Sequence, residues 1–127
     1  NSYIDSFADF PFFVLFAVPA GPSGNEIIPF YIKDGELKKA DLSFVTHGSA
    51  GIWSSYGYNK EKNFFYQAEG MPSDYSYEKG VPCSFTKFTW DMNKLQFTEI
   101  EKKSFYSRLD NFCSDEFLKY GIKVGNN

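Results

Sequence analysis

Three times along this chain an apolar, aromatic-bearing run meets a short polar reversal and returns as a second apolar run, and this constrains the fold more than any other feature. The first copy is Ile27 to Ile32, the turn Lys33-Asp34-Gly35-Glu36, then Leu37 to Asp41; Asp-Gly supplies the positive φ angles that a tight hairpin demands. The second runs Ile52 to Tyr58, Asn59-Lys60-Glu61-Lys62-Asn63, Phe64 to Ala68. The third runs Phe85 to Trp90, Asp91-Met92-Asn93-Lys94, Leu95 to Ile100, with Phe88 and Trp90 on one face going in and Leu95 and Phe97 on one face coming out. The correspondence Tyr31/Leu37, Tyr58/Phe64 and Trp90/Leu95 recurs at a spacing of about 30 residues, which is within the range of repeat architectures. Three copies are too few to close a propeller, so they predict one meandering antiparallel sheet.

The intervening segments extend that sheet. Phe12 to Val18 is a continuous Phe/Val-rich run between prolines and predicts a central strand buried on both faces. Pro19 to Asn25 predicts an irregular loop, because two prolines and two glycines oppose regular structure there. Leu42 to Thr46 and Ser104 to Leu109 read as further strands, His47 to Gly51 and Glu78-Lys79-Gly80 as turns, and Met71 to Asp74 as a loop. Ser114 to Tyr120 carries helix punctuation: Ser114 as N-cap, acids in the first turn, Lys119 in the last and Gly121 just beyond. The expected fold is mainly β, at the margin of α+β: an antiparallel meander of three or more hairpins with one short C-terminal helix, as a single domain over 1–127. An aromatic content of 20% agrees, since aromatic residues favour strands.

Charge excludes some partners. A net charge of −3 offers no basic footprint for nucleic acid or an anionic membrane. The most apolar run, Phe10 to Val18, is too short to span a bilayer. With one histidine and two distant cysteines the chain has no zinc spacing, and Gly21-Pro22-Ser23-Gly24 lacks the lysine and helix of a phosphate loop, so no metal or cofactor is expected. In His47-Gly48-Ser49-Ala50-Gly51 the serine follows a glycine directly and not in a nucleophile elbow, so no catalytic residue is assigned and no enzyme is expected. Cys83 and Cys113 are compatible with one disulfide or with two buried thiols.

The aromatic surface is where binding is expected. Trp53 shares a strand face with the small Ser55 and Gly57, Tyr56 and Tyr58 occupy the opposite face, and Tyr75 and Tyr77 are spaced to share a face on a separate segment. These five are the candidate ligand-binding residues, offering rigid amphipathic area to a carbohydrate or to another protein. Trp53 decides the matter. Its neighbours cannot cover it, so it is either capped by another segment or open to solvent.

Tyr31-Ile32-Lys33-Asp34-Gly35-Glu36-Leu37-Lys38-Lys39, Gly51-Ile52-Trp53-Ser54-Ser55-Tyr56 and Asn111-Phe112-Cys113-Ser114-Asp115-Glu116-Phe117 together resemble uncharacterised hairpin-repeat modules of secreted proteins and lipoproteins from Gram-positive gut bacteria. The resemblance spans Ile27 to Tyr120 and implies an extracytoplasmic location, secreted or anchored at the cell surface. Such modules carry an aliphatic residue where this chain has Cys113, which favours a buried thiol over a disulfide. The expected function is a non-catalytic extracytoplasmic β module of a bacterial protein, acting in binding or as a structural element. The alternatives are a carbohydrate-binding module using exposed aromatics and a small hydrolase centred on His47 and Ser49.

Overall fold

The computed structural model describes residues 3–4, 10–49, 51–108 and 113–124. It is mainly β, with β1 (Tyr3–Ile4), β2 (Val14–Pro19), β3 (Gly24–Lys33), β4 (Glu36–Lys39), β5 (Phe44–Gly48), β6 (Trp53–Asn59), β7 (Phe64–Gly70), β8 (Val81–Asp91) and β9 (Gln96–Ser107), followed by the short helix α1 (Ser114–Lys119). The strands form one antiparallel sheet in the order β1-β2-β3-β5-β6-β7-β8-β9, with β4 paired to β3 off that path.

All three expected hairpins are present. Asp34 and Gly35 have φ of 54° and 79° and pair Lys33 with Glu36 across a two-residue turn, as Asp-Gly chemistry dictates. At the β6–β7 reversal the Asn59 side chain accepts the Lys62 N–H, and Asn63 takes the left-handed conformation. At the β8–β9 reversal the Asp91 carboxylate accepts the N–H groups of Asn93 and Lys94.

Several expectations need correction. Leu95 is not on the outgoing strand of the third hairpin: it sits in the turn at φ 55°, β9 begins at Gln96, and Trp90 pairs with Phe97. His47 and Gly48 belong to β5 and not to a turn, because they pair with Gly24 of β3 and with Ser54 and Trp53 of β6. The Phe12 to Val18 run is not a central strand: β2 lies one strand from the sheet edge, and only alternate residues, Leu15 and Ala17, are buried. Pro19 to Asn25 is not an irregular loop, since Pro19 pairs with Asn25 and the Ala20 N–H reaches the Gly24 carbonyl in a compact hairpin. Ser114 is not the N-cap of α1. Cys113 occupies that position with φ 75° and makes no side-chain cap bond. Ala50, Leu109, Asn111 and Phe112, on which parts of the expected turn, strand and helix approach fall, lie outside the described residues.

The sheet is rolled. Phe13, at the foot of β2, and Trp90 on β8 have ring centroids 4.9 Å apart, although five inter-strand steps of a flat sheet would separate those strands by ~24 Å. Tyr31 of β3 meets the same indole at 5.3 Å. A bulge assists the curl: Lys87 pairs with Glu101 but Phe88 with Glu99, which leaves Ile100 without a partner and increases the local twist. Asp41, just beyond β4, then reaches the outer edge of β9 and accepts the Phe97 N–H at 3.0 Å.

Rolling divides the core in two. The inner cluster holds Phe10, Leu15, Ala17, Ile27, Phe44, Phe65 and Phe97, with Phe13, Tyr31, Phe88 and Trp90 against it. The outer cluster lies on the opposite face of β7 and β8, where Phe64, Tyr66, Ala68, Val81, Cys83 and Phe85 pack under Phe117 and Ile122 of the C-terminal segment. The helix ends in a Schellman motif, with Ile122 N–H to Phe117 O and Gly121 N–H to Leu118 O, and Gly121 at φ 77°. Both Phe117 and Ile122 are fully buried, the hydrophobic contact that accompanies this motif. Cys83 and Cys113 form a disulfide with Cα atoms 6.5 Å apart, replacing the expectation of buried thiols and clipping α1 to β8.

Candidate ligand-binding face

The two clusters are offset along the strands, and that offset leaves part of the inner face open. On β7, Phe65, Gln67 and Glu69 alternate on the inner face while Tyr66 and Ala68 point to the helix. Register carries the inner face across the sheet, because Gln67 pairs with Thr86 and Glu69 with Ser84, and Ser84 in turn pairs with Ser104. Toward the Trp90 end this face is buried by aromatics. Toward the β7–β8 connection it carries the polar side chains of Gln67, Glu69, Ser84, Thr86 and Ser104 among apolar neighbours such as Ile52, Met71 and Pro82.

Two clefts occupy the open half. One of about 420 Å³ is lined by Leu42, His47, Ile52, Ser54, Gln67, Glu69, Thr86 and Phe88 among others. The second, of about 300 Å³, includes Glu69, Met71, Pro82, Ser84, Ser104 and Tyr106. Glu69 lines both, which places a carboxylate where the two clefts adjoin along the groove face. Ser84 Oγ donates to Glu69 Oε1 at 3.2 Å, and among the described residues no hydrogen bond reaches the second carboxylate oxygen. Tyr106 is half exposed, and the Lys79 ammonium sits 5.4 Å from its ring centroid.

Gln67 is structural here. β5 pairs with β6 only at His47 and Gly48, so the backbone of Val45 lacks a strand partner on that side. The Gln67 amide supplies it, accepting the Val45 N–H at 2.7 Å and donating to the carbonyls of Val45 at 2.9 Å and Ser55 at 3.1 Å. Gln67 thereby bridges the backbones of β5 and β6 in the wall of the larger cleft. His47 lines the same cleft and lies over Gly24, where a Cβ would come within 2.9 Å of the imidazole. Its Nδ1 lies 3.2 Å from the Ile52 carbonyl, which can only accept, so Nδ1 carries the hydrogen. Ser49 Oγ donates to the same carbonyl at 3.2 Å. Histidine and serine are thus each engaged with Ile52 and not with one another.

The five aromatics named from the sequence fall in three places. Trp53 lies on the helix side, its indole edge-on to Phe117 at 5.8 Å and lying across Gly70 of β7, where a Cβ would come within 2.6 Å of the ring. It is capped by α1. Tyr56 and Tyr58 face the inner cluster, Tyr56 against Phe10 at 5.4 Å and Tyr58 against Phe65 at 4.7 Å, with the Tyr58 hydroxyl donating to Asn63 Oδ1. Tyr75 and Tyr77 stand exposed in the β7–β8 connection, Tyr77 at 88%. No common platform joins the three groups. The groove residues Glu69, Ser84, Ser104 and Tyr106 were not singled out by sequence, because polar residues at alternate strand positions look like any solvent face.

Among the described residues no group of His, Cys, Asp and Glu side chains is arranged to hold a metal ion, and no helix is long and apolar enough to cross a membrane. No family model, curated protein or solved structure matches the chain.

Proposed function

We propose that the chain is a non-catalytic extracytoplasmic β module, secreted or held at a bacterial cell surface, that acts by binding. The observation that carries the reading is the Cys83–Cys113 disulfide, because such bonds persist in oxidising compartments and are rare in the cytosol of most organisms. The resemblance of the hairpin and helix segments to secreted hairpin-repeat modules points the same way. Support for a non-catalytic role comes from His47 and Ser49, whose shared bond to Ile52 leaves neither positioned to activate the other. A binding role is favoured over a purely structural one by the open groove around Glu69.

The test is made on cells expressing the chain from its own gene. Fractionation followed by alkylation with a mass tag is expected to place it outside the cytoplasm, with Cys83 and Cys113 blocked until reduced. Recovery from the cytoplasmic fraction with both cysteines alkylated at once would overturn the reading.

A further inference from the structure

We propose that the groove across β7, β8 and β9 binds a neutral oligosaccharide, with Glu69 and Tyr106 as its principal contacts. The proposal deepens the reading of the chain as an extracytoplasmic binding module and rests on it.

Three features of the groove select this ligand class. The first is its hydrogen-bonding character. Among the described residues no hydrogen bond engages the second carboxylate oxygen of Glu69 or the hydroxyls of Ser54, Thr86 and Ser104. Hydroxyls that both donate and accept, set around a carboxylate, match the vicinal hydroxyls of a sugar. The second is charge. Among the described residues Glu69 is the one carboxylate lining either cleft and no lysine or arginine lines them, so a phosphorylated, sulfated or uronic chain would meet repulsion at Glu69, with the Lys79 ammonium over Tyr106 and Lys102 across from Thr86 standing outside the lining. The third is the floor. It is the face of a sheet whose backbone is already paired from β7 to β8 and from β8 to β9, so an extended peptide would find no free ladder to join. Tyr106 at the end of the groove supplies apolar ring area for the C–H face of a pyranose.

The dimensions agree with an oligomer. Clefts of about 420 and 300 Å³ meeting at Glu69 make an elongated site, longer than one sugar ring needs.

The experiment is calorimetric titration of the oxidised chain with maltohexaose, cellohexaose, laminarihexaose and chitohexaose, alongside a glycan array carrying neutral and acidic glycans. At least one neutral glycan is expected to bind. Glu69→Gln is expected to weaken it by about tenfold or more, since a charge-assisted hydrogen bond is lost, and Tyr106→Ala by about tenfold. Tyr77→Ala is expected to leave it unchanged. Ser104→Tyr provides a second route: the site is exposed, tyrosine suits a strand, and the added ring fills the groove while leaving Glu69 bonded to Ser84, so binding is expected to vanish in a folded protein. No glycan bound at millimolar concentration, binding of acidic glycans alone, capture of extended peptides instead, or neutral-glycan binding unaffected by all three groove variants would each overturn the proposal. A chain that fails these tests while its cysteines are oxidised outside the cytoplasm would lose the saccharide site and keep the module reading.

Discussion

At the scale of single residues, two glycines on the β6–β7 ladder explain how two large rings are stored on the helix side. Trp53 lies over its cross-strand partner Gly70, and Tyr66 lies over its partner Gly57, where a Cβ would strike the phenol. Each ring shields backbone that glycine would leave bare. Capping by α1 gives Trp53→Ala an expected cost of roughly 3 kcal/mol through the space it vacates; chemical denaturation showing a loss under about 0.5 kcal/mol would mean a surface-like ring. The indole Nε1 is buried without a partner among the described residues, so Trp53→Phe is expected to be close to neutral in the same assay. Tyr66 makes a pH prediction. Its hydroxyl donates to the Lys123 carbonyl at 2.8 Å, and burial pushes the phenol above its ordinary value of 10.0. The folded state therefore keeps a proton that the unfolded chain releases. This stabilisation is complete below pH 10 and is lost as pH rises through the elevated native value. Tyr66→Phe is expected to cost about 1 kcal/mol at pH 8, and its deficit against the parent should narrow toward pH 11; a deficit constant over that range would show that burial does not hold the phenol neutral.

At the scale of elements, α1 is too short to persist alone and depends on its attachments to the sheet, the packing of Phe117 and Ile122 among them. The disulfide joins its N-terminus to β8, Ser107 Oγ donates to Glu116 Oε2 at 2.8 Å, and Asn59 Nδ2 donates to the Gly121 carbonyl at 2.8 Å. With a sequence separation of 30 between the cysteines, closing the loop in the unfolded chain accounts for about 3.5 kcal/mol. Cys83→Ser/Cys113→Ser is therefore expected to lose an amount of that order in a denaturant titration, whereas dispensable cysteines would leave the midpoint in place. The hairpins were legible from sequence because their turn chemistry is local: Asp34-Gly35, Asn59, Asn63 and Asp91 act on backbone within a few residues. Local sequence is silent where the deciding contact is distant. Nothing near Phe12 to Val18 tells an edge-proximal strand from a central one when the shielding partners, Phe65, Trp90 and Phe97, lie more than fifty residues away. Pairing of Cys83 with Cys113 depends on where α1 lands. The groove was hidden for the same reason, since Glu69, Ser84 and Ser104 become neighbours only through register.

At the scale of the molecule, one sheet serves two cores, and β7 belongs to both: Phe64, Tyr66 and Ala68 face the helix cluster, while Phe65 faces the aromatic interior. The same strand is therefore a wall of both cores. The chain has two tryptophans and the fold assigns one to each side, Trp53 to the outer cluster and Trp90 to the inner. This makes cooperativity directly measurable. Trp53→Phe leaves Trp90 as sole reporter of the rolled seam, where it meets Phe13, Tyr31 and Phe97, and Trp90→Phe leaves Trp53 as sole reporter of the helix side. Introducing Asp41→Ala into each background removes the side chain that bonds the Phe97 N–H across the seam, at an expected cost of about 1–2 kcal/mol. If the shared strand couples the cores, that distant loss should shift the denaturation midpoint seen by Trp53 as far as that seen by Trp90, because coincident transitions are the mark of two-state unfolding. A shift confined to Trp90 would mean that the helix-side cluster stands when the seam opens, and that β7 is a boundary between two units.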